Sequence, residues 1–337
     1  MKRVEASADA YVFGSTRIRA LENRLIGKER LERLLEAGSL ARCTALLEEF
    51  GVELVTDPET GVLSREKTLE LRLREAYREV LSLTEQADFL RLWLYPYDCN
   101  NIKSVIKCKY RGADPEGVLF DFGNIPLEDL KDMAVRGDYG ALPAPFGEAA
   151  EEAAKALSAT ANPQRVDLIL DAACYRGMCS LAEQSSVKFA QDLVSLKIDL
   201  TNLLVCLRRL RMADRYVREV FPEELFLEGG TLSYVYLADL CQGGEAYYWE
   251  RLSYSPYEKF AIWSGTDASL SRAELAADDF FMDRLGLARG IPYGAEPLLG
   301  YLLGVEYEVK NLRILLSGYS ISLPSKTVRE RMRSSYV

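Results

Sequence analysis

The sequence predicts an all-α chain made of three similar helical domains, and three observations carry that prediction. Leu, Arg, Glu and Ala dominate the 337 residues, and these side chains lose little freedom in a helix. Apolar residues recur at helical spacing, as in Leu69, Leu73, Tyr77, Val80 and Leu81, and alternating β-branched runs are scarce. Finally, one stretch is written three times: YDCNNIKSVIKCKY (Tyr97–Tyr110), IDLTNLLVCLRRLR (Ile198–Arg211) and YEVKNLRILLSGY (Tyr307–Tyr319). The copies start 101 and 109 residues apart, a spacing that fits triplication of a folding unit and is too long for a solenoid repeat.

Taken in order, Tyr11 to Ile26 reads as an amphipathic helix, and shorter helices follow over Leu31 to Ala37 and Arg42 to Phe50, ended by Gly38 and Gly51. Thr56-Asp-Pro-Glu-Thr-Gly61 has the chemistry of a turn. Lys67 to Leu94 reads as one long helical tract, which Pro96 interrupts, leaving Asp98 as a candidate cap for the helix of the first repeated stretch. The first domain then spans 1–117, closing in Arg111-Gly-Ala-Asp-Pro-Glu-Gly117.

The second domain, 118–222, opens with Gly123-Asn-Ile-Pro126 as a loop into a helix. Glu148 to Leu157 is strongly helix-forming, with Glu151 and Lys155 spaced as a surface ion pair. Val166 to Ser180 and Phe189 to Leu196 lead into the second stretch; Tyr175 stands 24 residues before Asp199 as Tyr77 stands 21 before Asp98. A boundary at Phe221-Pro222-Glu223 introduces the third domain, 223–337. There Thr231 occupies a loop-to-helix position like that of Asn124, Ser271-Arg-Ala-Glu274 reads as a capping box, and the last long helix runs from Leu298 to Ser317. The tail from Ser325 to Val337 is basic.

Composition excludes more chemistry than it suggests. The chain has no histidine, which removes Ser-His-Asp and Cys-His nucleophile activation and most familiar zinc or iron sites. A net charge of −9 argues against nucleic acid as a partner. Seven cysteines, an odd number with no C-x-x-C, indicate neither a disulfide framework nor a zinc ribbon, and Cys43, Cys99, Cys174 and Cys206 read as small core residues of a reduced, intracellular protein. Neither a signal peptide nor a bilayer-spanning apolar run is legible, so membrane contact is expected only through a partner. Phosphate-binding glycine loops and nucleophile elbows are missing, and Asp121-Phe122-Gly123 lacks every companion motif of a kinase. No catalytic residue, cofactor or metal site is predicted.

The candidate residues are those of the repeat. An acid precedes an asparagine by three residues in each copy: Asp98 and Asn101, Asp199 and Asn202, Glu308 and Asn311. Residues so spaced share a helical face, and an amide among Ile, Leu and Val requires buried hydrogen-bond partners. Two readings stand: three equivalent polar locks between helices, or one ligand site used three times. Lys103, Lys107, Arg208, Arg209 and Arg313 follow on the same segments, either as partners of those acids, the preferred reading, or as a docking surface. Leu204 stands where Lys103 and Arg313 stand in the other copies, so the basic positions are not equivalent.

PLLGYLLGVEYEVKNLRILLSGY followed by VRERMRSSYV, together with YVFGSTRIRALENRLI and YDCNNIKSVIKCKYRG, resembles the C subunit of the prokaryotic V/A-type ATPase, the family of the eukaryotic vacuolar d subunit. The resemblance implies a funnel of three helical domains with pseudo-threefold symmetry. It also implies a non-catalytic, cytoplasmic, membrane-peripheral role as a socket between the D–F central shaft and the proteolipid rotor ring, which serves ion transport. The rival expectation is a stand-alone helical scaffold that binds peptides or regulatory proteins in a groove; a histidine-free carboxylate enzyme is a remoter third.

Overall fold

The computed structural model describes residues 11–212, 225–265 and 269–337. Its regular structure is all helical among these residues, apart from one isolated antiparallel bridge between Thr56 and Leu63. The chain divides into two compact units: residues up to Glu85 together with Leu252–Val337, and Gln86–Arg251.

Helices α1 (Val12–Glu22), α2 (Lys28–Leu35), α3 (Leu40–Glu49) and α4 (Arg65–Leu81) open the first unit. Ser39 caps α3 by accepting the Arg42 N–H, and Gly38 and Gly51 take positive φ (74° and 84°) where the neighbouring helices stop. The Thr56–Gly61 turn is held by Asp57 Oδ1, which accepts the N–H groups of Glu59 and Thr60. The tract from Lys67 to Leu94 is not one helix. It stops at Leu81 and resumes as α5 (Asp88–Arg91), because Thr84-Glu-Gln-Ala-Asp88 offers no large apolar side chain to hold a further turn against the core.

The second unit continues with α6 (Tyr95–Arg111), α7 (Leu127–Arg136), α8 (Phe146–Thr160), α9 (Pro163–Ser185), α10 (Lys188–Leu210) and α11 (Tyr234–Gln242), and ends within α12 (Gly244–Ser253). Pro96 lies in the first turn of α6, where a missing N–H goes unnoticed, so Asp98 is inside the helix instead of capping it. Helix α9 packs against α5, α6, α8 and α10 and is the hub of this unit, with Val166, Leu170, Ala173 and Met178 buried. The boundary expected at Phe221-Pro222-Glu223 lies outside the described residues.

The first unit resumes with α13 (Glu258–Ser264), α14 (Leu270–Leu285), α15 (Ala295–Ser320) and α16 (Ser325–Arg329). The cap of α14 is Ser269, which accepts the Arg272 N–H; Ser271 already lies inside the helix. Helix α15 is apolar nearly all round and packs on α1, α4 and α14, which makes it the axis of this core. Its far end is pinned by Tyr319, whose hydroxyl donates to the Leu34 carbonyl at 2.7 Å at the open end of α2.

The first two repeated stretches are thus α6 and α10 in the second unit, and the third is α15 in the first unit.

Candidate functional site

The three asparagines make the same two-point contact. Asn101 Nδ2 donates to the Phe120 carbonyl at 2.8 Å, and its Oδ1 accepts the Phe120 N–H at 2.9 Å. Asn202 holds Leu227 in the same way at 2.9 and 2.8 Å, and Asn311 holds Arg333 at 3.0 and 2.8 Å. An asparagine amide carries a donor and an acceptor side by side, the pattern an extended residue presents along its own backbone, so each pair closes a small ring. The held residue lies 19, 25 and 22 positions after its asparagine. All three asparagines are buried.

The acids one turn earlier are buried too, and Asp98 and Asp199 each hold a second point on a following loop. Asp98 Oδ1 accepts the N–H groups of Asn124 and Ile125 at 2.9 and 3.0 Å, while Oδ2 takes Asn124 Nδ2 at 3.0 Å. Asp199 Oδ2 accepts the Thr231 N–H and hydroxyl at 2.9 and 2.7 Å, and Oδ1 the Leu232 N–H at 3.0 Å. Asn124 and Thr231 are therefore equivalents, each giving a backbone and a side-chain donor to one carboxylate. The glycine before each lets the loop come this close: a Cβ on Gly123 would lie 2.2 Å from Asp98 Oδ1, and one on Gly230 2.2 Å from Asp199 Oδ1.

The third copy uses a longer acid. Glu308 Oε2 accepts the Ile26 N–H at 2.7 Å, and Oε1 takes Arg72 Nε at 2.9 Å in an ion pair that is almost wholly enclosed. Burial works against the Arg72 guanidinium, yet the Glu308 carboxylate holds its pKa above the ordinary value. Asp98 has no such cation in its hydrogen-bonding shell, and burial pushes it up to about 6 against the pull of its three donors.

The basic residues act elsewhere. Lys103 meets Asp171 at 2.6 Å and Asp167 at 3.8 Å, Lys107 also meets Asp167, and Arg313 meets Glu66 at 3.1 Å. These partners are on α9 and α4, so the pairing expected with Asp98 and Glu308 does not form at these positions. The reason is helical: a residue five positions on faces about 140° away from the acid. Arg208 is exposed, and Arg209 is buried beside Cys206 and Cys241.

Several members of this framework carry no sequence signal. Arg72 is one. Another is Asp278, which receives Arg333 Nε at 3.0 Å and the Tyr307 hydroxyl at 2.9 Å, while the adjacent Asp279 accepts the Ser334 N–H at 2.6 Å. The glycine-led loops at Gly123-Asn124 and Gly230-Thr231 are visible as loops, but nothing in them names the acid they meet. The described lock contacts are to backbone and side chains of the chain itself, an arrangement that fastens segments together. Among the described residues, no group of three or more Cys, Asp or Glu could hold a metal ion, and no helix is long and apolar enough to cross a membrane.

Residues 15–331 match the profile of a family described as ATP synthase (C/AC39) subunit. The chain is similar to the C subunit of the A-type ATP synthase of Methanocaldococcus jannaschii, 26% identical with 96% of this chain and 86% of that one covered. It is 24% identical to the C subunit of the A-type ATP synthase of Methanococcoides burtonii over 97% and 95% of the two chains. The C subunit of the V-type sodium ATPase of Enterococcus hirae is 23% identical, with 95% and 97% covered.

Proposed function

The chain belongs to the ATP synthase (C/AC39) subunit family, and from that premise we propose that it is the non-catalytic socket of a rotary V/A-type ATPase, coupling the D–F central shaft to the proteolipid rotor ring. Its place as a subunit of such a complex follows from the match over residues 15–331. The observation that supports the coupling role is the set of three two-point locks. A part that passes torque between two bodies must resist twisting, and buried, satisfied polar contacts within close-packed helices resist by geometry.

The locks also support a three-domain plan, 1–117, 118–222 and 223–337. On that division Asp98 holds the leading loop of the second domain and Asp199 that of the third, while Glu308 reaches back to Ile26 in the first. This cyclic relation is what pseudo-threefold symmetry requires. Attachment to the membrane is then through the ring alone, on the cytoplasmic side, with ATP handled by other subunits of the complex. Whether the machine makes or consumes ATP, and which ion it moves, is a property of those other parts.

Mixing the chain with recombinant D–F shaft and resolving the mixture by size-exclusion chromatography tests the proposal. One-to-one co-elution is expected. Clean separation of folded partners would overturn the socket reading and favour a stand-alone helical scaffold.

A further inference from the structure

Four of the seven cysteines stand in two pairs whose local geometry is the same. Cys99 on α6 donates its thiol to the Leu170 carbonyl at 3.4 Å, and Cys174 lies four residues further along α9. Cys206 on α10 donates to the Leu237 carbonyl at 3.4 Å, and Cys241 lies four residues further along α11. A helical carbonyl points along the axis toward the residue four positions on, so a thiol that reaches it comes to lie against that residue's side chain. That places Cys174 beside Cys99 and Cys241 beside Cys206, near enough for the two thiols of each pair to influence each other.

A cation flanks each pair. Lys103 is close enough to Cys99 and Cys174 to interact electrostatically with both, and Arg209 does the same for Cys206 and Cys241. The thiolate is the form that reacts with oxidants, and beside the first pair Lys103 is shared with Asp171, whose carboxylate Cys99 Sγ also approaches at 3.8 Å. In each pair the contact with the partner sulfur, followed by burial, raises one thiol's pKa, that of Cys174 in the first and Cys206 in the second, so that thiol keeps its proton. Cys43, by contrast, is a lone buried thiol pushed up to about 12 by burial.

We infer that Cys99–Cys174 and Cys206–Cys241 are two disulfide-forming sites, each cross-linking neighbouring helices of the second unit when the chain meets a peroxide. The thiolate of one cysteine attacks a peroxide oxygen; the O–O bond breaks, hydroxide leaves and takes up the proton the thiol released, and a sulfenic acid remains. The sulfur of the protonated partner then displaces the sulfenic hydroxyl, which departs as water with that partner's proton. Two thiols and one hydrogen peroxide thus give one disulfide and two waters, each sulfur losing one electron and the peroxide gaining two. Burial makes both reactions wait on local opening of the helix pair, so they run more slowly than oxidation of an exposed thiol.

The test uses the full chain, incubated with hydrogen peroxide for hours under native conditions. Remaining thiols are alkylated in denaturant, and peptides are mapped without reductant. The expected result is two cross-linked peptides, Cys99 to Cys174 and Cys206 to Cys241, with both links reversed by dithiothreitol. Cys174→Ser should abolish only the first link and Cys241→Ser only the second. Over-oxidation of these cysteines without cross-linking, other pairings, or links only between chains would overturn the inference. The wild-type peptide map decides the matter even if a variant fails to fold.

Discussion

Glu308 accepts the backbone N–H of Ile26 at 2.7 Å, joining the middle of α15 to a loop 282 residues earlier. The same carboxylate neutralises Arg72 on α4, so one side chain fastens the loop after α1 and the flank of α4 to the core helix. Glu308→Leu or Arg72→Leu alone is expected to cost about 3–5 kcal/mol, because each leaves a buried charge without its partner. The double variant should lose clearly less than the sum. Urea unfolding of all four chains measures this, and strict additivity would show that the pair is not coupled.

The three asparagine rings predict three similar losses. Asn101→Leu, Asn202→Leu and Asn311→Leu each remove two hydrogen bonds and strand a backbone N–H and C=O, for about 2–4 kcal/mol apiece. Asn→Asp at the same sites keeps the acceptor but turns a buried carboxylate oxygen on the partner carbonyl, one turn from another buried acid, so it should cost at least as much as leucine. Chemical denaturation of the six variants checks both the size and the order. A leucine variant as stable as wild type would remove that ring from the framework.

Asp98 predicts the direction of a pH effect. Its folded-state pKa is raised to about 6 from 3.8, so between those values the native chain binds more protons than the unfolded chain. Its contribution to stability is fully present below about pH 4 and is lost as pH rises through about 6, with a ceiling of about 3 kcal/mol. Other carboxylates pull the opposite way, so the measurement is a difference: wild type against Asp98→Asn, unfolded at several pH values from 4 to 8. The gap between the two curves should change across that window and be flat above it.

Gly123→Ala and Gly230→Ala each place a methyl group 2.2 Å from a lock carboxylate oxygen. Either the loop retreats and its hydrogen bonds break, or the acid leaves its pocket. A loss of about 2–4 kcal/mol is expected, in line with an unsatisfied buried carboxylate. Gly286→Ala, where a Cβ meets nothing, is the control and should change little. Thermal melts of the three chains decide it.

The repeated stretches are legible in the sequence because the acid, the asparagine three residues on and the following apolar residue survive in all three copies. Their partners are not legible, since Phe120, Leu227 and Arg333 share no residue type and are held through backbone atoms, which leave no trace in side-chain identity. Helices are well placed by their pattern where an apolar stripe is unbroken, as in α15. The pattern misleads where the stripe lapses, as after Leu81, or where two serines compete for one cap, as at Ser269 and Ser271. The basic residues mislead because proximity along a helix is not proximity around it. Arg72 is invisible because one arginine in an arginine-rich helix carries no mark of burial.

The asparagine rings grip a residue by its peptide groups and ignore its side chain, and the number of residues between grip and asparagine differs in every copy. Such a fastening is indifferent both to what it holds and to how long the tether is. The intervening chain could therefore lengthen, shorten or be rewritten freely without loss of the anchorage, provided one amide stayed in place.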